Sequence, residues 1–240
     1  MFRQILFAGT VMVCGVVALT GCSKAKTTPT QPPPGETVIF SEGFEGDLSK
    51  WEGTYMIGMD VYVQMRITTD AAHTGTHSLT TDSNITALYH TDTNRVESGT
   101  SGVEFYMKAQ SLGEINFGLE IGQNPGSSGA VTPAFGIFFD PSDSIKCTIF
   151  NTWPAVDTQT MVAAIQAGHW YKCKIEVNMT DSTASFYLDD AAVHTEKLST
   201  AYPQGIDRVL VFRGLYGKNF SSSSEGTKPY YIDDITWYKK

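Results

Sequence analysis

The chain has 240 residues, of which 17 are Lys or Arg and 25 are Asp or Glu, so its net charge at neutral pH is −8. This acidic excess argues against nucleic acid and anionic lipid headgroups as partners. The sequence contains no basic run, no phosphate-binding glycine loop and no internal repeat. After the N-terminal segment, residues 38–240 have the length of a single all-β domain.

The N-terminus has the features of a secretory signal peptide over residues 1–21. Arg3 precedes an apolar run from Ile5 to Leu19, and small residues follow up to Cys22. A positive start, a short apolar core and a small-residue cleavage site define such a peptide. The tetrapeptide ending at Cys22, Leu-Thr-Gly-Cys, resembles the bacterial lipobox. This resemblance implies cleavage before Cys22 and a diacylglycerol on its sulfur.

The alternative for this segment is an uncleaved transmembrane helix. A membrane span needs about 20 mostly apolar residues, whereas this run is shorter and contains glycines. Residues 22–37 are predicted to be a lipidated tether, because the three prolines at 32–34 favour extended polyproline II. Acyl chains at Cys22 would anchor the domain to a membrane. In the Gram-negative lipoproteins that the chain resembles, Ser23 in place of aspartate implies the outer membrane or cell surface, so we expect an extracytoplasmic location.

The remainder of the chain alternates between apolar and polar residues as β-strands do. Val103 to Lys108 and Glu114 to Ile121 follow a period of two, which predicts strands with one buried face. The same pattern continues at Ile145–Phe150, Tyr171–Met179 and Ala184–Leu188, with turn clusters between the strands. These strands without a βαβ rhythm predict an antiparallel β-sandwich.

One segment, Gln159 to Ala167, is compatible with either a short helix or a strand. Elsewhere, four stretches resemble known all-β families. Phe40–Trp51 and His73–Leu79 resemble the first strands of concanavalin A-like and carbohydrate-binding-module jelly rolls. Gly168–Val177 followed by Ala184–Asp190 resembles the hairpin of laminin G-like domains, and Tyr230–Ile235 resembles the last strand of the same superfamily. This resemblance implies an all-β fold, the concanavalin A-like antiparallel jelly-roll β-sandwich.

The same resemblance implies a structural calcium ion that joins the first and last strands. The matching positions are Glu45, Asp233 and Asp234, together with the backbone of residues 73–76. Calcium prefers six to eight oxygen ligands, which carboxylates and carbonyls supply. Because strand alternation sends the two aspartates to opposite faces, we expect Asp234 to point inward on the face of Ile232. The alternative is a solvated acidic turn without metal.

Two cysteines are predicted to face the core. Cys147 shares a face with Ile145 and Ile149, and Cys173 shares a face with Ile175. In an oxidising compartment a disulfide between them would contribute roughly 3 to 4 kcal/mol in the chain-entropy model. Two buried free thiols are the alternative.

No catalytic residue is assigned from the sequence. Glycosidases need two carboxyl groups about 5 to 10 Å apart. Glu114 and Glu120 share a face, but six residues at roughly 3.3 Å each separate them by about 20 Å. The Glu-x-Asp-x-x-Glu motif of jelly-roll glucanases is absent, with Asn116 nearest the place of its aspartate, and the strand motifs of alginate lyases are absent too. A pair from adjacent strands, such as Glu104 with Glu120, stays open.

Sugar binding needs aromatic faces flanked by amides and carboxylates. Tyr106, Asn116 and Glu120 are predicted to form such a polar strand face, and Trp153 and Tyr216 lie in loop-like segments. The alternative for each aromatic ring is burial or isolated exposure. We therefore expect a lipid-anchored, non-catalytic domain that binds a polysaccharide or another glycan. The alternatives are a polysaccharide-degrading enzyme of this fold, either a glycosidase or a lyase, and a protein-binding adhesion or envelope module.

Overall fold

The structure is a computed structural model that describes residues 35–53, 65–81, 86–111, 116–123, 134–150, 158–198, 205–214 and 229–240. Every regular element in these ranges is a β-strand. The strands, in chain order, are β1 (Thr37–Glu42), β2 (Glu52–Gly53), β3 (Met65–Thr68), β4 (Ser78–Thr81), β5 (Thr86–Val96), β6 (Thr100–Ala109), β7 (Asn116–Gly122), β8 (Ala134–Asp140), β9 (Ser144–Phe150), β10 (Thr158–Ala164), β11 (Trp170–Asn178), β12 (Thr183–Leu188), β13 (Ala191–Lys197), β14 (Ile206–Gly214) and β15 (Tyr230–Lys239).

The strands form two antiparallel sheets. The eight-stranded sheet has the order β13-β12-β11-β6-β15-β4-β3, with β1 paired to β15 beside this path. The seven-stranded sheet has the order β10-β9-β8-β7-β14-β5-β2. The first and last strands are neighbours, because Thr37 pairs with Lys239 and Glu42 pairs with Ile235. The predicted all-β, antiparallel sandwich is therefore confirmed.

The core lies between the two sheets and is built by the predicted alternation. On β6, Val103, Phe105 and Met107 are fully buried, and on β7 Phe117 and Leu119 face them from the other sheet's side of the core. Each such side chain gains roughly 1.5 to 3 kcal/mol when it leaves water. Burial of one face of each sheet fixes the strand register, since a slip of one residue would turn the whole apolar set outward.

Two further predictions concern the segment 159–167 and the N-terminal segment. Thr158–Ala164 is strand β10 at the edge of the seven-stranded sheet, so the strand alternative holds for most of that segment. The predicted signal peptide and the Cys22 lipobox lie outside the described residues, and β1 begins at Thr37, the last residue of the predicted tether. Within the described ranges, no helix has the length and apolarity needed to cross a membrane.

Candidate active site on the seven-stranded sheet

Strand β7 carries polar side chains at the centre of the seven-stranded sheet. Phe117, Leu119 and Ile121 point into the core, so alternation places Asn116 and Glu120 on the outer face of the sheet. Both polar residues are nevertheless buried, and Glu120 is only 1% exposed. A fully buried carboxyl group in the middle of a sheet needs an explanation beyond packing.

Strand pairing places a row of side chains on this outer face, and the row runs across the sheet through Glu120. Directly paired residues in antiparallel strands share one face, so each pairing adds a member to the row. In order across the sheet the row consists of Gln159, Thr148, Gly136, Glu120, Leu210, Tyr89 and Glu52. Arg208, two residues before Leu210 on β14, lies on the same face.

Arg208 is the cation beside Glu120. Its Nη2 atom donates a hydrogen bond to Glu120 Oε1 at 3.2 Å. Burial raises the pKa of Glu120, the positive charge of Arg208 opposes this, and the outcome is a pKa of about 7. Desolvation therefore outweighs the ion pair, as it does for carboxylic acids that act as proton donors near neutral pH.

Four buried polar atoms on this face have no hydrogen-bond partner. They are Glu120 Oε2, Arg208 Nε, Thr148 Oγ1 and Asn116 Oδ1. Each unmade hydrogen bond costs on the order of 1 to 3 kcal/mol. Native cores leave few polar atoms unsatisfied, so a group of them on one face marks a place where water or a ligand would supply the partners.

Tyr89 and Glu52 extend the polar part of the face toward the edge of the sheet. The Tyr89 hydroxyl donates to Glu52 Oε2 at 3.1 Å. Burial and the Glu52 carboxylate raise the pKa of Tyr89, while the charge of Arg208 lowers it. Arg208 therefore acts electrostatically on both Glu120 and Tyr89, and the four groups form one network, which we call the β7-face site.

An apolar floor lies beside the β7-face site. A Cβ atom at Gly136 would clash with Phe138 Cε2, and one at Gly118 would clash with the Ile137 carbonyl oxygen and lie 2.8 Å from Phe138 Cδ1. The two glycines are therefore required to seat the Phe138 ring against the sheet. Phe212 meets that ring edge-on at a centroid distance of 6.5 Å. The Phe138 ring therefore fills the space over Gly118.

The prediction that Tyr106 shares a face with Asn116 and Glu120 is wrong. Tyr106 lies on β6, in the eight-stranded sheet, and points away from the core on the opposite side of the sandwich. Its ring stacks on His73 at a centroid distance of 3.6 Å. Period-two alternation identifies the buried face of a strand but not the sheet to which the strand belongs. The same placement of Glu104 on β6 rules out a Glu104–Glu120 catalytic pair.

Three other residues weighed in the sequence analysis lie outside the described residues: Trp153, Tyr216 and Glu114. Trp170 lies partly exposed on the outer face of β11. There the ammonium group of Lys108 approaches its ring at 5.8 Å.

The predicted calcium ligands meet the loop of residues 73–77. Glu45 accepts hydrogen bonds from the backbone N–H groups of Thr76 and His77 at 2.7 and 2.9 Å. Although burial raises its pKa, these bonds and those from the two side chains lower the pKa of Glu45 to about 2. Asp233 accepts a hydrogen bond from the backbone N–H of His73 at 2.8 Å. The carboxylates therefore tie the loop to the segment after β1 and to β15.

The expectation that Asp234 is the inward aspartate is wrong. Asp233 is fully buried, and burial together with the neighbouring Asp234 raises its pKa to about 7. Asp234 adopts a φ of +49° beside a register irregularity in β15, which breaks simple alternation. Its carboxylate instead meets His73 Nδ1 at 2.7 Å and accepts from the Thr74 hydroxyl at 2.7 Å.

The carboxylate oxygens of these residues accept hydrogen bonds from N–H and O–H donors. No group of three or more His, Cys, Asp or Glu in the described ranges could hold a metal ion.

Calcium binding stays a prediction. Calcium at a hundred times its Kd is expected to add about 2.7 kcal/mol to the unfolding free energy. Thermal unfolding with calcium and with chelator measures this for the wild type, Glu45→Gln and Asp234→Asn. A wild-type Tm indifferent to chelator would remove the site, and an unchanged shift in both variants would place it elsewhere.

The two cysteines lie in the core as free thiols. Cys147 on β9 and Cys173 on β11 are both buried and unbonded, and they belong to different sheets. Burial raises the pKa of Cys147 to about 12 and that of Cys173 well above its usual value. The structure therefore has the free-thiol alternative, and thiols of this kind are unreactive at neutral pH.

Comparison with known proteins finds matches among solved structures. No family model and no curated protein matches the chain. A Bacteroides ovatus mixed-linkage glucan GH16 protein in complex with product has a TM-score of 0.61 at 12% identity, over 83% of this chain and 100% of that one. The laminarinase catalytic domain from Thermotoga maritima has a TM-score of 0.58 at 12% identity, over 85% and 98%. An alginate lyase has a TM-score of 0.54 at 14% identity, over 75% and 85%.

At these identities the likeness shows the fold. The chain has the concanavalin A-like jelly-roll β-sandwich that the sequence predicted. The expectation of a non-catalytic carbohydrate-binding domain is wrong, because the similar structures are named as enzymes that act on polysaccharides. These names favour the alternative, an enzyme, and they agree with a glycan as the partner class.

Proposed function

We propose that the chain is a polysaccharide-degrading enzyme whose active site is the β7-face site, with Glu120 as the proton donor. The observation that carries this proposal is the state of Glu120. Its carboxyl group is buried, has a pKa of about 7 and leaves Oε2 without a partner. Cleavage of a glycosidic bond needs a carboxylic acid that is still protonated near neutral pH.

The arrangement of Arg208 supports this role for Glu120. Arg208 holds Oε1, so the proton of the neutral acid belongs on Oε2, the unpartnered oxygen. In the proposed step, this proton passes to the glycosidic oxygen as the bond between that oxygen and the anomeric carbon breaks. A water molecule then bonds to the anomeric carbon and gives its proton to a second carboxylate.

Glu52 is our candidate for the second carboxylate. It lies in the same row as Glu120, three strand spacings away, which separates the two Cα atoms by about 14 Å. The side chains must lean toward each other to reach the roughly 6.5 to 9.5 Å between carboxyl groups in inverting glycosidases. The Tyr89 hydroxyl holds Glu52 on the side toward the site. We therefore propose hydrolysis with inversion at the anomeric carbon.

A second candidate reaction, β-elimination from a uronate chain, has one observation in its favour. Tyr89 and Arg208 lie on one face of the sheet, where the charge of Arg208 opposes, without reversing, the rise in the pKa of Tyr89 that burial and Glu52 cause. In such a reaction an arginine would neutralise the uronate carboxylate and an ionised tyrosine would take the proton from the carbon beside it. The bond between the next carbon and the glycosidic oxygen would break, and that oxygen would take the proton back from the tyrosine. The product would then carry an unsaturated sugar at its new end.

Purified protein incubated with a panel of neutral and acidic polysaccharides tests the proposed function. New reducing ends without ultraviolet absorbance from unsaturated uronate would support hydrolysis, and the absorbance would support elimination. Product anomers followed by NMR would show whether the configuration inverts. Absence of any cleavage across mixed-linkage β-glucan, laminarin, alginate, polygalacturonate and carrageenan would overturn the assignment.

The pH dependence of kcat/KM is a specific expectation. Because Glu120 must be protonated to donate, activity should fall as the pH rises through about 7, approaching tenfold per pH unit well above it. Rates measured between about pH 5 and 9 at low substrate concentration give this profile. An alkaline limb that stays at the same pH in Glu120→Gln would assign the proton donor to another group.

We also propose that the enzyme is attached to the cell envelope through lipid on Cys22. The support is the lipobox-like tetrapeptide with the signal features before it. In cells, the full chain should partition into the detergent phase, and Cys22→Ala should move it to the aqueous phase while the enzyme keeps its activity. Detergent partitioning that is unchanged in Cys22→Ala would mean that another feature anchors the chain.

A further inference from the structure

We propose that the β7-face site takes an acidic polysaccharide and that Arg208 binds a carboxylate or sulfate group of that chain. This inference rests on the proposed function and names its substrate class. It depends on how Arg208 is paired, on which charges surround it, and on what changes when Glu120 acts as an acid.

The pairing between Arg208 and Glu120 is incomplete. A guanidinium group and a carboxylate usually meet through two parallel hydrogen bonds. Here a single bond joins Arg208 Nη2 to Glu120 Oε1, and both Arg208 Nε and Glu120 Oε2 are buried without partners. Arg208 therefore keeps an N–H donor for a ligand, at a site where an unmade hydrogen bond is costly.

The strands beside Arg208 do not supply a second anion in register with it. Its paired residues are Gly122 on β7 and Thr91 on β5, and neither side chain carries a charge. Glu52, in the same row as Glu120, accepts the hydroxyl of Tyr89. The guanidinium side chain is only 12% exposed, so water screens its charge poorly.

The proposed proton donor makes this charge balance depend on the substrate. When Glu120 carries its proton, the carboxylate partner of Arg208 becomes neutral, and among the described strands no anion is left in register with this buried cation. A carboxylate or sulfate on the polysaccharide would offset that charge and occupy Nε, whereas a neutral sugar offers only a hydroxyl. The charge of Arg208 lowers the pKa of Glu120, and a bound anion would offset that charge. Glu120 would therefore stay protonated in the complex.

The experiment compares acidic and neutral polysaccharides on the wild type and on three variants. The substrates are alginate and polygalacturonate as carboxylate chains, carrageenan as a sulfated chain, and mixed-linkage β-glucan and laminarin as neutral chains. The variants are Arg208→Gln, Arg208→Lys and, as a matched control on the opposite sheet, Arg66→Gln. Thermal unfolding of each variant checks that it folds.

We expect the wild type to cleave at least one acidic polysaccharide in preference to the neutral ones. Arg208→Gln should raise KM for that substrate on the order of tenfold to a hundredfold. Arg208→Lys should recover part of the loss, because it keeps the charge without the two-pronged geometry. Arg66→Gln should match the wild type. The carboxylate and sulfate arms identify which anion is recognised.

Cleavage of neutral glucans alone would overturn the inference while the proposed function stands. Failure to cleave any polysaccharide would overturn the proposed function, and binding then decides the inference separately. Calorimetry with acidic and neutral oligosaccharides on the wild type and Arg208→Gln measures this. Acidic oligosaccharides that bind the wild type, and bind Arg208→Gln more weakly, would uphold the inference. Equal binding to both proteins, or no binding, would overturn it.

Discussion

Replacing Glu120 by glutamine should lower kcat on the polysaccharide that the wild type cleaves by a factor of roughly 10² to 10⁴. This is the range that a positioned general acid contributes. Glutamine has nearly the shape of glutamic acid and can still accept the hydrogen bond from Arg208, which the structure places at 3.2 Å from Oε1. It has no proton of suitable acidity to give to a leaving oxygen. The loss should therefore fall on kcat, with KM changed little.

A matched control for this variant is Glu104→Gln. Glu104 lies on β6 in the other sheet, half-buried and 3.3 Å from the ammonium group of Lys172. The same chemical change at that position should leave kcat within a factor of two of the wild type, because Glu104 lies on the other sheet, away from the β7-face site. Equal losses in the two variants would contradict the assignment of the acid to Glu120.

Replacing Trp237 by alanine should have the largest effect on stability, roughly 3 to 5 kcal/mol. Trp237 lies on β15 and is fully buried in the core, where its indole N–H donates to the Ser101 hydroxyl at 2.9 Å. Removing the ring leaves a cavity and a buried hydroxyl without its partner. Urea unfolding measured by circular dichroism gives the change in free energy from the shift in midpoint.

Two further variants separate packing from hydrogen bonding at this position. Trp237→Phe keeps an aromatic ring and loses the donor to Ser101, so its loss should be smaller than that of Trp237→Ala. Met161, on edge strand β10, is 68% exposed, and Met161→Ala should stay within about 0.5 kcal/mol of the wild type. A cost below about 1 kcal/mol for Trp237→Ala would mean that β15 does not hold the centre of the sandwich.

The sequence predicts the fold well because alternation is local and repeats along the chain. Strand β6 has the buried and half-buried positions that the pattern of Val103 to Lys108 indicates. Strand β7 shows what alternation does not reveal. Its polar positions alternate as on a solvent-facing strand, yet all seven residues are buried. Periodicity reports which residues share a face and contains no information about what covers that face.

The candidate site could be predicted only in part, for a related reason. Asn116 and Glu120 were identified because they lie on one strand. Arg208, Tyr89 and Glu52 were missed, because they reach the site through pairings between residues far apart in the chain. A weak signal was present at Arg208, one of three charged residues in a strand whose remaining side chains are apolar. Its partner could not be named without the strand order.

The most direct test of the active-site assignment is a crystal structure of Glu120→Gln with an oligosaccharide of the polysaccharide that the wild type cleaves. We expect the sugar on the outer face of the seven-stranded sheet, with its scissile oxygen within hydrogen-bond distance of Gln at position 120 and with Arg208 in contact with the chain. A sugar bound instead on the eight-stranded sheet, around Tyr106 and Trp170, with the β7-face site empty, would contradict the account.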